Sequence, residues 1–295
     1  MSHSRVPAPE PSRPGRKLGP VSADVGNLHH AWLMPVRKRY IDTGRTLSDL
    51  SDTVLLAKSK LSELLRGVGL YPRWEVLHRL SVELDLPQWP LYRLWRQAAL
   101  DAGKSHDWIE GSSERSAVLT ARPGPPIAYG ALRSMVENDY RRYAMVFLSK
   151  STCREATEDA FAILWLSFDD VVSSADHRRY AWGILRSTVM ARSIDQTGHP
   201  RMEAAAFKTR ALHEHTTLET RADQISESIA LFRAISRLPE AQLDVMVLRY
   251  LCGLSAERVS DLLGVPLAAV KSDERHAMRN LESLAHPPET GGTTS

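Results

Sequence analysis

The sequence predicts an all-α protein of three helical modules joined by flexible linkers. Two observations carry this. Apolar residues recur at intervals of three and four almost everywhere, the period of a helix with one buried face. Strict apolar–polar alternation is essentially absent, and the hairpin dipeptides Asn-Gly and Asp-Gly do not occur. The breaks between helical stretches then mark the modules. Residues 1–27 hold Pro7, Pro9, Pro11, Pro14 and Pro20 and read as a disordered arm. Residues 105–126 contain Gly111-Ser112-Ser113 and Pro123-Gly124-Pro125-Pro126 and read as a spacer. A softer break at Gln196–Pro200 opens a second linker, residues 196–228, and residues 286–295 read as a disordered tail. The modules are therefore 28–104, 127–195 and 229–285.

Composition narrows the function. Of 295 residues, 43% are hydrophobic and 25% charged, as in ordinary globular chains. The most apolar run, Leu243 to Leu251, is broken by Asp244 and Arg249, and none approaches the ~20 residues of a membrane helix. No secretory leader is visible, and Cys153 and Cys252 are too few for a disulfide framework. The expectation is a cytoplasmic protein. The net charge is +3, and residues 28–104 hold 12 basic against 8 acidic residues, so the first module is the best electrostatic candidate for a polyanion partner.

In the first module, Leu47, Leu50 and Val54 form one apolar stripe, and Leu61, Leu64 and Leu65 a second that ends at Gly67. Two short helices with a tight turn make a helix-turn-helix, whose second helix presents Lys58, Ser59, Lys60 and Ser62 to a DNA major groove. With a preceding helix bearing Arg37, Lys38 and Arg39 and a following helix from Trp74 to Leu80, the segment resembles the lambda-repressor-like (XRE/Cro type) domains. It departs in the turn. Leu55 stands where that family often has Gly, so the turn is expected to avoid positive φ. Ala57 stands where a capping residue is usual.

The third module carries the most specific pattern. A helix runs from Glu240 to Leu251 through Leu243, Val247 and Leu251, and Ser255 caps a helix over Ala256–Leu263 that Gly264 ends. Pro266 then opens a helix with inner residues Leu267, Val270, Ala277, Leu281 and Leu284. Leu238-Pro239-Glu240, Leu248-Arg249-Tyr250, Gly253-Leu254-Ser255, Leu263-Gly264-Val265-Pro266 and Val270-Lys271-Ser272 resemble region 4 of sigma-70 family factors, especially the small extracytoplasmic-function (ECF) type. The resemblance implies contact with duplex DNA at a −35 element through Lys271, Ser272, Arg275, His276 and Arg279, and with the polymerase β flap. Asp273 stands where that family offers arginine, and an acid there repels phosphate. Glu274 falls on the inner stripe and needs a partner.

In the middle module, stripes run through Leu132, Met135, Val136 and Tyr140, then Ala156, Ala160, Ile163 and Leu164, then Trp182, Leu185 and Val189. Glu155 to Trp165 resembles the region 2.2 helix of ECF sigma factors. That resemblance implies docking on the β′ clamp of RNA polymerase core through Glu158, Asp159, Phe161 and Trp165. The helix around Tyr180-Ala181-Trp182 is then the −10-reading part, though Leu185-Arg186-Ser187-Thr188 replaces the stretch that usually follows.

No phosphate loop, nucleophile elbow or paired-cysteine zinc pattern is present, and His213-Glu214-His215-Thr216-Thr217 lacks the second histidine of a zinc-protease helix. Asp169-Asp170 reads as a helix end or a solvated face. No catalytic residue, metal or cofactor is expected. The reading is a bacterial, nucleoid-associated sigma-like factor that brings polymerase core to promoters, with an anti-sigma factor as a further expected partner. The alternatives are a DNA-binding regulator whose sigma-like part no longer melts promoters, a generic helix-turn-helix protein, and an interaction protein that sequesters a partner.

Overall fold

The computed structural model describes residues 18–113, 124–195, 197–202 and 230–285. The arm up to residue 17, parts of both expected linkers, His213 and His215, and the tail from residue 286 lie outside the described residues, as does the Leu284 side chain. Every regular element among the described residues is a helix, as the sequence predicts. The chain divides into two compact units, Met1–Arg122 and Pro123–Ser295.

Among the described residues, the first unit holds six helices: α1 (Asn27–Asp42), α2 (Leu47–Val54), α3 (Lys58–Leu65), α4 (Trp74–Glu83), α5 (Gln88–Asp101) and α6 (His106–Ser113). Helix α1 packs along α5, and α2 packs on α3 and α4. Trp32, Leu33, Leu50, Leu61, Trp74 and Trp95 are fully buried between them. Tyr71 ties the aromatic layer together. Its hydroxyl accepts from Trp32 Nε1 at 3.1 Å and donates to the Trp95 carbonyl at 2.7 Å.

Two boundaries differ from the sequence reading. The stretch expected as linker from residue 105 begins with α6, because Ile109 is buried and the Ser112 hydroxyl accepts from the Trp74 amide at 2.6 Å. Residues 18–26, expected within the disordered arm, are anchored. The Ser22 amide donates to the Arg66 carbonyl, and Arg37 donates to the carbonyls of Gly19 and Leu65.

The second unit begins with α7 (Ile127–Phe147), α8 (Lys150–Leu166), α9 (Phe168–Ser173) and α10 (His177–Ser193). After residue 202 the described chain resumes with α11 over residues 230–236. Then come α12 (Glu240–Met246), a π turn at Val247–Leu251, α13 (Ala256–Leu263) and α14 (Leu267–Ala285). Ser255 caps α13 by accepting from the Arg258 amide, and Gly264 ends it with φ of 64°, both as the sequence predicts. The π turn was not expected; the Cys252 amide bonds back five residues to the Val247 carbonyl at 2.8 Å.

Residues 127–195 and 229–285, read from the sequence as two modules with a linker between them, share one hydrophobic core. Tyr140, Tyr143, Phe161 and Leu185 from the first segment join Leu243, Val247, Val259 and Val270 from the second. The physical reason is that α10 packs both on α8 and on α13. Apolar side chains of both segments would meet water if the segments stood apart.

Candidate nucleic-acid interface

In the first unit, Thr46 opens α2 with a reciprocal cap. Its hydroxyl accepts from the Asp49 amide while the Asp49 carboxylate accepts from the Thr46 amide. The turn into α3 passes through Leu55, which has φ 55° and ψ 44° and lies 76% exposed. The expectation that leucine keeps this turn out of positive φ is therefore overturned. Helix termination demands a left-handed residue here, and the Leu55 amide closes on the Ser51 carbonyl as a glycine would. Ala57 supplies no side-chain cap to α3, as expected. The first amides of α3 consequently point outward beside Lys58, Ser59 and Lys60, all exposed, with Ser62 half-buried. That end of α3 combines open N–H donors, a helix dipole and two lysines, which suits phosphate. Lys60 is partly neutralised by Glu63 at 2.8 Å. Of the cations on α1, Arg37 and Arg39 donate to the carbonyls that end α3 and α4.

In the second unit, Val270 and Ala277 of α14 are fully buried, which turns Lys271, Arg275 and Arg279 outward. With Ala268 and Met278 these line one open face at successive helical turns. His276 is exposed beside Arg279, and Ser272 is half-buried. Glu274 finds its partners on the π turn. Its Oε1 accepts from Arg249 Nε at 3.2 Å and from the Tyr250 hydroxyl at 2.8 Å. Arg249 also donates to the Leu254 carbonyl at 2.6 Å, so α14 is braced against the π turn through Arg249. A π turn closes over one residue more than an α-turn, so it sets Arg249 and Tyr250 in a register that a regular α-helix would not give. Asp273 stays half-exposed near the cationic face, while Arg249 and Arg258 are engaged with Glu274 and Asp139.

The residues expected to dock polymerase are placed unevenly along α8. Trp165 is half-buried and packs against Tyr129. Glu158 is gripped by Arg133 at 2.6 Å, with Arg141 at 3.6 Å. Asp159 and Phe161 are 1% exposed. Asp159 meets Arg192 of α10 at 2.6 Å, and Phe161 stacks on Tyr140 beneath the Arg133 guanidinium. Both therefore leave the docking surface and belong to the core, because the face of α8 that carries them is the one covered by α7 and α10.

A second set of polar residues was missed by sequence reasoning. Asp244, on α12, is almost fully buried. It accepts from Tyr143 Oη at 2.7 Å, Trp182 Nε1 at 3.1 Å and Arg186 Nε at 2.8 Å. Burial pushes its carboxyl up to about 6 despite Arg186 and these three donors. Around it, Arg258 of α13 grips Asp139 of α7 at 2.7 Å, and Arg178 of α10 pairs with Asp261 of α13. Arg142 of α7 donates to the Cys252 carbonyl. The signal for Asp244 was an acid inside an otherwise apolar run, which taken alone only excludes a membrane span.

Compared with known families, residues 228–281 match the model described as sigma-70, region 4, less than a fifth of the chain. No curated protein matches. The match supports a sigma-factor-like role in DNA binding and transcription. Among the described residues, no helix is long and apolar enough to cross a membrane.

Proposed function

We propose that this protein is a sequence-specific DNA-binding transcription factor of sigma type that brings RNA polymerase core to promoters. The observation that carries the reading is the cationic face of α14, Lys271, Arg275 and Arg279, lying within the segment that matches sigma-70 region 4. In this reading α14 meets a −35-like duplex. Helix α10 faces a −10-like element, and the exposed part of α8 around Glu155 and Glu158 approaches the β′ clamp, with β flap contact from residues 229–285. The ECF-type middle segment, the XRE-like first unit, an anti-sigma partner and a cytoplasmic, nucleoid-associated location belong to the same reading. So does the absence of an enzymatic step. Helix α3 of the first unit adds a second duplex contact through Lys58 and Lys60.

A second reading has one observation in its favour. Trp182 and Arg186, on the helix assigned to the −10 element, are spent on Asp244. In that reading the chain is a DNA-binding regulator whose sigma-like part serves as an interaction module. Run-off transcription with purified bacterial core enzyme separates the two. Template-specific transcripts that need this chain support sigma function. Duplex binding without core capture or transcripts supports the regulator.

A further inference from the structure

We propose that the second unit binds a nucleoside polyphosphate in a cavity between the turn that follows α10 and helix α11. The inference stands apart from the sigma reading, since no residue of the α14 face enters it.

The cavity measures about 570 Å³, within the range of small-molecule sites. Its first wall lies just after α10, where the sequence reads the start of a linker. Here the chain turns back on itself. Ile194 and Pro200 pair as an isolated antiparallel bridge, the Asp195 amide donates to the His199 carbonyl at 3.1 Å, and the Arg201 amide donates to the Ser193 carbonyl at 2.9 Å. His199 and Arg201 are thereby held on one side of the cavity. The second wall is α11 and the turn after it. Ile235 and Leu238 are buried in the core, which leaves Phe232, Arg233, Ser236 and Arg237 to line the cavity.

Arg201, Arg233, Arg237 and His199 thus surround a single space, and all four are exposed. Elsewhere in this unit arginines are matched to acids: Arg133 with Glu158, Arg192 with Asp159, Arg258 with Asp139. Among the described residues, none of the three arginines at the cavity forms an ion pair. The acid on the same lining, Asp195, is turned into its own loop. Its Oδ1 accepts from the Thr197 amide at 2.7 Å and the Thr197 hydroxyl at 2.5 Å, and these bonds hold its carboxyl below the usual range. Three guanidinium groups gathered this way repel one another, and a polyanion between them removes that repulsion.

The lining also selects the kind of anion. A guanidinium fork matches two phosphate oxygens, so three forks suit a chain of phosphates better than a single one. Pro200, Met202 and the half-buried Phe232 add an apolar strip to the same cavity. An inorganic anion makes no use of that strip, whereas a nucleobase packs on it. A duplex backbone is met on an open face such as that of α14, not between two walls.

The test is isothermal titration calorimetry of the full chain with ATP, in buffer without added metal. The expected result is one saturable site for ATP, no binding of adenosine, and inorganic triphosphate weaker by about tenfold because it lacks the base. Arg233→Ala and Arg237→Ala should each weaken ATP about tenfold through the lost charge-assisted bonds, with helix content unchanged by circular dichroism. Arg275→Ala, which removes a cation from the α14 face, should leave ATP affinity as it is. No saturable binding up to about 1 mM ATP overturns the proposal. If the double variant Arg233→Ala, Arg237→Ala then loses duplex affinity, the arginines belong to a DNA contact instead. Inorganic triphosphate binding as tightly as ATP overturns the nucleoside assignment. An equal loss in Arg275→Ala overturns the site, since ATP would then sample any cationic face. None of these outcomes bears on core capture, so the sigma reading stands or falls separately.

Discussion

The Arg186 guanidinium of α10 lies 2.8 Å from the Asp244 carboxylate of α12, so residues 127–195 and 230–285 are joined at a buried ion pair. Removing one partner strands the other. Among the described residues, Asp244→Ala leaves Arg186 with only Glu240, at 3.1 Å, and leaves the Tyr143 hydroxyl and Trp182 indole N–H without an acceptor. The expected loss is about 3–5 kcal/mol of stability in the second unit, measured by chemical denaturation. A loss below about 1 kcal/mol would mean that water reaches this site freely.

Leu55 holds a left-handed conformation in open solvent. That conformation costs a non-glycine residue about 1–2 kcal/mol, whereas glycine adds about 0.5–1 kcal/mol of unfolded-state entropy. Leu55→Gly should therefore stabilise the first unit by about 0.5–1 kcal/mol, raising its melting temperature by a few degrees. Unchanged or lower melting would show that the exposed leucine contributes contacts this conformation does not reveal.

His29 sets a pH limit on the first unit. Burial against Trp32 and Tyr71, with His30 adjacent, lowers it to about 4, and its Nε2 has no hydrogen-bond partner among the described residues. The folded state thus binds the proton less readily than the unfolded chain. Its stability contribution is present above the ordinary histidine value of about 6.5 and is lost as pH falls toward about 4. Thermal melts at pH 7 and pH 5 should show the wild type losing more stability than His29→Phe. Parallel losses would remove His29 as the cause.

Lys58 and Lys60 should contribute unequally to duplex binding. Lys58→Ala should reduce the magnitude of the salt slope of DNA affinity by about one unit. Lys60→Ala should reduce it by less, because Glu63 already neutralises part of that charge. Filter binding of the full chain to random-sequence duplex at several salt concentrations checks this. Equal slopes in all three proteins would place α3 off the DNA.

Asp273→Arg changes the local charge by two beside Lys271 and Arg275. It should strengthen duplex binding through α14 and steepen the salt dependence. The full chain is the right sample, since residues 229–285 share their core with residues 127–195 and a fragment would expose Val247 and Val259. Equal affinities and slopes would mean that Asp273 faces away from the duplex.

Local chemistry made much of the interface legible before any coordinates. The stripe of Val270 and Ala277 fixes which face of α14 is buried, so the outward placement of Lys271, Arg275 and Arg279 follows from helical period alone. Ser255 and Gly264 mark the ends of α13 by capping rules that need only neighbouring residues. The need of Glu274 for a partner was legible too, but not that Arg249 and Tyr250 supply it, because a π turn changes the register of the helix that carries them.

The sequence by itself determined that the chain is helical, where α3 and α13 end, and which residues of α3 and α14 face solvent. These are set by interactions within a few residues, where spacing fixes geometry. Only the tertiary structure decided that Asp159 and Phe161 are core residues, that Leu55 takes a left-handed turn, and that Asp244 joins two segments into one unit. Each depends on what a second element places beside the residue. Helix α10 has the same sequence whether the side that meets α13 faces water, polymerase or a neighbouring helix. Partners brought together over a hundred positions, such as Tyr143 and Asp244, leave no local spacing to read.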